Sequence, residues 1–232
     1  MRMILAIAAA VALTIGIPAS GYGATVTGDL NATGSVRVTA TSIDFLPLGG
    51  GDGNIRPEPE DPGTGSFAGL GGEVGLIQDL FLGPNPVGVP FSLPDWITFD
   101  NGLTFELTFI EPGTEGPCLP GADACTPPNS PFDLANTSTG WTGSFDVRGF
   151  VSDGSDSDPS AFTGTFSTQQ SNGDTIDDVL AFFAQNGFVQ ASYSAHFDVK
   201  PEGPAPIPEP GSVFLIGAGL LGLGFIRRRK VN

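Results

Sequence analysis

Residues 189–199 alternate between apolar and polar side chains without interruption, which is the period of a β-strand. The apolar face of this segment carries Val189, Ala191, Tyr193, Ala195, Phe197 and Val199. Three further segments, at 103–109, 145–151 and 162–166, follow the same period of two. Strands with one apolar and one polar face form antiparallel sheets that are covered on one side. With turn residues between them, these strands predict an antiparallel β-sandwich.

The composition supports a mainly β domain and excludes a helix bundle. The chain contains 34 glycines and 21 prolines among its 232 residues, and both residue types break helices. The 18 phenylalanines nevertheless supply enough apolar surface for a core. We therefore expect one β-sandwich domain at 25–199, with phenylalanine inside rather than on a binding surface.

One segment departs from the strand period and predicts a single helix at 175–186. Its apolar residues follow the spacing of a helix stripe and are Ile176, Val179, Leu180 and Phe183. Thr175 and Asp178 have the spacing of a capping box at the N-terminus of a helix. Gly187 suits the C-terminal stop, since glycine readily adopts the left-handed conformation there.

Other segments are predicted to be irregular. The phase of the alternation changes between 36–40 and 43–45, which predicts a β-bulge at their junction. Residues 47–66 are dominated by Gly, Pro and acidic residues and predict a mobile loop. Residues 152–159 predict an extended hairpin loop, whereas 73–82 suit either a helix turn or an irregular strand.

Residues 1–24 have the order of a secretory signal peptide. Arg2 is followed by an apolar run at 4–17, then by Pro18 and a series of small residues. A positive charge, an apolar run and a small-residue cleavage zone are typical of such peptides. We expect cleavage near residue 23 or 24 and export of the domain that follows.

The C-terminal region has three parts in a fixed order. Pro208, Glu209 and Pro210 precede an uncharged apolar run at 213–226. The run ends at a basic cluster formed by Arg227, Arg228, Arg229 and Lys230. We expect a transmembrane helix at 213–226 with the basic cluster in the cytoplasm, which places the preceding domain outside. The Pro-rich residues 200–207 would form a stiff spacer between them.

This tripartite order at 207–230 resembles the PEP-CTERM sorting signal of Gram-negative bacteria. The resemblance implies recognition by an exosortase, a membrane-embedded processing enzyme that cleaves near the Pro-Glu-Pro motif. It also implies an inner-membrane precursor that is delivered to the cell surface or the extracellular matrix. The expected partners are this enzyme, the secretion machinery and, before processing, the membrane.

The charge balance excludes another class of partner. The chain carries 25 acidic and 9 basic residues, for a net charge of −16. Such a chain repels phosphate, so we expect no binding to nucleic acid. The same charge favours a soluble exported domain that resists association, and it attracts divalent cations diffusely.

Few residues in the sequence indicate a catalytic or metal-binding site. Cys118 and Cys125 form an even pair in an exported chain and predict a disulfide, whereas a catalytic or metal-binding role would need His196 as a partner. His196 lies on the polar face of its strand, where an ordinary solvent-exposed histidine is expected. Asp153, Asp156 and Asp158 offer carboxylates for calcium, but turn chemistry explains them equally well.

We therefore predict no catalytic residue, no resident metal and no cofactor, and a structural, non-enzymatic role at the cell surface or in the extracellular matrix. The alternative is a β-sandwich module that binds polysaccharide or calcium. Aromatic platforms for sugar are scarce, because the mature domain offers only Trp96, Trp141 and Tyr193. A hydrolase that uses a pair of carboxylates is a third hypothesis and would require a deep pocket.

Overall fold

The computed structural model describes residues 25–47, 52–154 and 159–200. Over these residues the chain forms twelve β-strands, one α-helix and a short 3-10 turn at Gly65–Phe67. The strands are β1 Gly28–Thr39, β2 Ser42–Phe45, β3 Gly53–Pro57, β4 Gly75–Ile77, β5 Leu80–Phe81, β6 Leu93–Thr98, β7 Thr104–Ile110, β8 Ala124–Cys125, β9 Asp133–Asn136, β10 Trp141–Ser152, β11 Ser160–Gln170 and β12 Phe188–Lys200. The helix, α1, spans Ile176–Asn186, as the apolar stripe predicts.

Eight of these strands close into an antiparallel β-barrel, and the predicted β-sandwich is wrong. The order around the barrel is β10, β11, β12, β1, β3, β4, β6 and β7, and β7 pairs again with β10. Alternation of apolar and polar residues is the same whether two sheets face each other or one sheet curls onto itself. The period therefore identified the strands but not the closure, which depends on which strand edges pair.

Each of the two long strands β1 and β10 pairs with two different strands along one of its edges. The first half of β1 pairs with β3 through Ala32 and Thr33, and its second half pairs with β2. Likewise β10 pairs with β9 near Trp141 and with β7 from Val147 onward. The strands outside the barrel, β2, β5, β8 and β9, therefore extend its wall at one end.

The helix lies at this extended end. Strands β11 and β12 pair from Ala161 to Ser167 of β11, and beyond Ser167 they separate. Helix α1 follows β11 in the chain and contacts β12 and β9. Gly28 pairs with Val199 at the opposite end of the barrel. The two ends of the described domain thus lie together, far from α1.

Aromatic rings fill the interior of the barrel. Phe166 has a ring centroid 4.8 Å from that of Phe145 in a stacked arrangement and 5.6 Å from that of Phe197. Phe105 and Phe162 pack edge to face at 5.3 Å, and Trp96 is fully buried beside them. Gly164 leaves room for this cluster, because a Cβ atom there would lie 2.7 Å from the Phe197 ring. Eight of the sixteen phenylalanines that the structure describes are buried in this core, whereas Phe81 and Phe182 are exposed.

A register shift in β7 moves one predicted core residue to the outside. The pairing with β10 slips between Arg148 and Gly149, and a Cβ at Gly149 would collide with the carbonyl oxygen of Glu106. Because of this bulge, Phe109 turns outward and lies under the Arg148 guanidinium, 4.1 Å from its carbon to the ring centroid. Ile110 is buried instead.

Four local predictions concern the segments between the long strands. The change of phase after β1 is a hairpin in which β2 pairs back onto β1, rather than a bulge. The expected loop at 47–66 contains β3, a strand of the barrel, and the 3-10 turn. The ambiguous segment 73–82 forms the short strands β4 and β5. The pairing of β10 with β11 confirms the predicted hairpin, while residues 155–158 of its loop lie outside the described residues.

The predicted signal peptide at 1–24 and the predicted transmembrane helix at 213–226 lie outside the described residues. In the part of the chain that the structure describes, no helix has the length and apolar character needed to cross a membrane.

Candidate functional site

A cavity of about 370 Å³ opens at the extended end of the barrel. Its walls come from β1 and β12 on one side, β10 and β11 on another, and α1 together with the loop at 127–132 across the top. The ring of Phe166 closes it below and separates it from the aromatic core. The cavity exists because β11 and β12 separate beyond Ser167 and α1 does not fill the gap between them.

The helix stripe forms one wall of the cavity rather than a closed contact. Ile176 is buried, but Val179, Leu180 and Phe183 are only half-buried, and these three line the cavity. The opposite wall is the apolar face of β12, with Ala191 among its residues. The predicted stripe is thus confirmed as apolar and inward-facing, while its packing against the sheet is incomplete.

The start of α1 is held by hydrogen bonds from several directions. The side chain of Thr175 accepts from the Asp178 N–H, and the Asp178 carboxylate accepts from the Thr175 N–H at 2.9 Å, which confirms the capping box. These hydrogen bonds from Thr175 lower the pKa of Asp178. The Ile176 N–H donates to Asn136 Oδ1 at 2.8 Å, and Gly187 ends the helix in the left-handed conformation.

The predicted disulfide between Cys118 and Cys125 is present, and it has a role that sequence reasoning missed. Cys125 is buried in a small cluster with Ile176 at the base of α1. The loop between the cysteines contacts the helix directly, since the Gly121 N–H donates to Asp177 Oδ2 at 2.9 Å. The disulfide loop therefore fixes the position of α1, and no spacing rule in the sequence indicated this.

Asp133 anchors the loop that forms part of the cavity mouth. Its carboxylate accepts from the Thr114 N–H at 2.9 Å, from the Glu115 N–H at 3.1 Å and from the Thr126 hydroxyl. Burial alone would raise the pKa of Asp133, but these hydrogen bonds outweigh burial and lower it. The loop at 127–132 lies between Thr126 and Asp133, so both of its ends are fixed.

Asp79 is another structural carboxylate, in the short connection between β4 and β5. It accepts a hydrogen bond of 2.7 Å from the Phe45 N–H. Burial raises the pKa of Asp79, the hydrogen bond from Phe45 lowers it, and the charges of Asp44 and Asp52 raise it further. The net effect is a pKa above the usual range of an aspartate.

The other candidate residues do not converge on a site. His196 is exposed, as predicted, and its Nδ1 lies 2.8 Å from Asn31 Oδ1. Within 25–47, 52–154 and 159–200, no three His, Cys, Asp or Glu side chains are grouped so that they could hold a metal ion. Of the proposed calcium ligands, Asp153 is described, whereas Asp156 and Asp158 lie outside the described residues.

The three candidate aromatic platforms are buried. Trp96 is 0% exposed, Trp141 is 5% exposed and Tyr193 is 4% exposed, so none is available as a sugar-stacking surface. Tyr193 lies on the apolar face of its strand, as predicted, and burial raises the pKa of its hydroxyl. Among the described residues this hydroxyl has no hydrogen-bond partner.

Comparison with known proteins identifies the C-terminal region. Residues 206–230 match the family model described as the PEP-CTERM protein-sorting motif. The match contains Pro208, Glu209 and Pro210 and the basic cluster at 227–230, all outside the described residues. Neither a curated protein nor a solved structure matches the chain. The motif implies an exported precursor that is anchored in the membrane of a Gram-negative bacterium. The chain therefore carries a PEP-CTERM sorting motif at 206–230 and is a substrate for exosortase-type processing.

Proposed function

We propose that the barrel domain is a structural, non-enzymatic component of the cell surface or the extracellular matrix. The observation that carries this proposal is the role of the carboxylates whose pKa is lowered. Asp133 and Asp178 each accept hydrogen bonds from backbone N–H groups and hold a loop or a helix in place. Shifted carboxylates often mark catalytic sites, but here a structural role accounts for both shifts.

Export and charge support the same role. The sorting motif directs the domain out of the cell, and the disulfide suits an oxidising compartment. The 24 acidic and 4 basic residues at 25–207 give this part of the chain a charge of −20, which keeps copies of the domain apart and keeps it hydrated within a polymer matrix. A packed aromatic core and a helix held against the disulfide-closed loop favour a domain that persists outside the cell.

A genetic complementation experiment tests this role. We expect a strain that lacks the gene to form a weaker or less abundant matrix, and the wild-type gene to restore it. A gene in which the residues 208–210 are replaced by alanine is the control, because it supplies the same domain without its sorting motif. Restoration by this control would contradict a role that depends on surface delivery.

A turnover assay tests the non-enzymatic part. The processed protein is incubated with matrix polysaccharide and with a peptide mixture, and released fragments are quantified against a heat-denatured sample. We expect no release above the control. Repeated turnover, with more than one product molecule per protein molecule, would contradict the proposal.

We further propose that the domain needs no metal or organic cofactor. Calcium binding predicts a rise in melting temperature by mass action that depends on Asp153, Asp156 and Asp158. A triple variant with asparagine at these positions separates a site from general screening of negative charge. We expect equal stabilisation of both proteins by calcium, whereas a larger rise in the wild type would contradict a cofactor-free domain.

A further inference from the structure

The cavity at the extended end of the barrel is held open by independent parts of the fold. The capping box and the disulfide loop fix α1, and Asp133 fixes the loop at 127–132. None of the residues that make these contacts lines the cavity. The walls are therefore positioned by contacts made elsewhere in the fold.

The lining indicates the chemistry of an occupant. The walls are aliphatic and aromatic, and no charged residue of the described chain lines the cavity. Five polar lining residues, Thr39, Asn129, Ser130, Ser167 and Thr168, are exposed or half-buried. The sixth, Tyr193, is buried, and its hydroxyl has no hydrogen-bond partner among the described residues. An ionised group inside would lose its hydration with no opposite charge to compensate. A ligand with an apolar body and a polar, uncharged end matches this lining.

The volume of the cavity and the charge of the domain limit the class of ligand that can bind. Ligand sites commonly span about 300–1,000 Å³, and about 370 Å³ is near the lower limit. A single hydrocarbon chain suits this volume, whereas a lipid with two chains would exceed it. The charge of −20 carried by residues 25–207 also disfavours an anionic end group by long-range repulsion. These two arguments exclude a diacyl phospholipid and disfavour an ionised fatty acid.

We propose that this cavity binds a neutral, single-chain amphiphile such as a long-chain alcohol, with its hydroxyl at the mouth near Ser130. The chain lies between the apolar face of β12 and the stripe of α1, and the ring of Phe166 limits its depth. This inference goes beyond the structural role proposed above and does not depend on it, since the domain could act in the matrix with or without such a ligand.

Displacement of a fluorescent probe tests the proposal. The processed protein, delipidated and free of detergent, is titrated with N-phenyl-1-naphthylamine, a neutral probe that becomes fluorescent in apolar surroundings. The bound probe is then displaced with 1-decanol or, at pH 8, with decanoate, which has the same chain length. We expect decanol to compete at least about tenfold more strongly, equivalent to 1.4 kcal/mol. Equal competition by the two would overturn the neutral-ligand assignment.

Cavity-filling variants locate the binding. Ala191→Phe fills the cavity from β12, and Ser192→Phe is its control on the exposed face of the same strand. Val179→Phe fills the cavity from α1, and Ala181→Phe is its control on the exposed side of the helix. Melting curves show which variants are folded, so the second pair remains decisive if Ala191→Phe does not fold.

We expect both filling variants to lose probe binding by at least about tenfold, and both controls to retain it. Unchanged binding in a folded filling variant would overturn the proposed site. Absence of probe binding by the delipidated wild type would overturn it too, whether the cavity is then closed or filled by another part of the chain.

Discussion

Replacing Phe166 by alanine tests whether the aromatic rings form one continuous core inside the barrel. The Phe166 ring is 2% exposed and lies within 6 Å, centroid to centroid, of the rings of Phe45, Trp96, Phe145, Tyr193 and Phe197. Loss of a buried phenylalanine side chain costs about 3–5 kcal/mol. Aromatic pairs add about 0.5–1.5 kcal/mol beyond buried area, so we expect a loss in the upper part of this range, about 4–5 kcal/mol.

The matched control is Phe109→Ala, which removes the same side chain from the outer face of β7. Phe109 is half-buried under the Arg148 guanidinium, and an exposed cation–π contact contributes about 0.5–1 kcal/mol. We therefore expect this variant to lose about 1 kcal/mol, mostly through that contact. The two variants differ only in where the lost ring was packed.

Urea unfolding of both variants, followed by tryptophan fluorescence, measures this difference. Trp96 is a suitable reporter because its ring centroid lies 5.9 Å from that of Phe166. We expect the unfolding midpoint of Phe166→Ala to fall strongly while the dependence on urea stays unchanged, since the unfolded chain is nearly the same. Free energies of unfolding that differ by less than about 1 kcal/mol would refute a single packed aromatic core.

Three further predictions concern the disulfide, one carboxylate and the sorting motif. Cys125→Ser should lower the free energy of unfolding by about 2.5 kcal/mol, because it removes the loop-closure entropy effect of a disulfide with a sequence separation of 7. Melting curves with and without reductant check this. Asp79 has a raised pKa in the folded state, so the folded protein holds this proton more tightly than the unfolded chain does, and stability falls as pH rises through the interval between the two pKa values. Asp79→Asn, which keeps an oxygen acceptor for the Phe45 N–H, should therefore stabilise the protein at pH 7 and have little effect at pH 3; the same effect at both pH values in thermal melts would contradict this reasoning. Alanine at 208–210 should leave export intact and retain the segment 213–226 on a membrane-bound form, which intact mass spectrometry detects; normal processing of this variant would show that the tripeptide is not required.

The elements with strong periodicity could be predicted from the sequence, whereas the closure of the barrel could not. The strand around Tyr193 and the helix begun by Thr175 have patterns that local physics alone determines, and both are confirmed. Strand β3 was missed because Gly53–Pro57 contains only Ile55 as a large apolar residue among residues typical of loops. Since β3 bridges β1 and β4, the barrel could not be recognised without it.

The cavity could not be predicted from the sequence either. Val179 and Leu180 are apolar because they face away from solvent, and that requirement is the same for a residue in a packed core and for one that lines a cavity. What distinguishes the two is the separation between α1 and the sheet. The position of α1 is held by Asn136 and by the disulfide loop, which are distant from α1 in the chain.

The position of the chain ends relative to the cavity restricts how a ligand can reach it. The tether to the membrane would leave the barrel after Lys200, and Ala191 at the cavity lies nine residues earlier on the same strand. At about 3.3 Å per residue, the cavity is about 30 Å along β12 from the attachment point. On an anchored precursor whose barrel stands upright, the cavity mouth would thus face away from the membrane. In that orientation an amphiphile would reach the cavity through water, and loading would depend on its free concentration outside the cell.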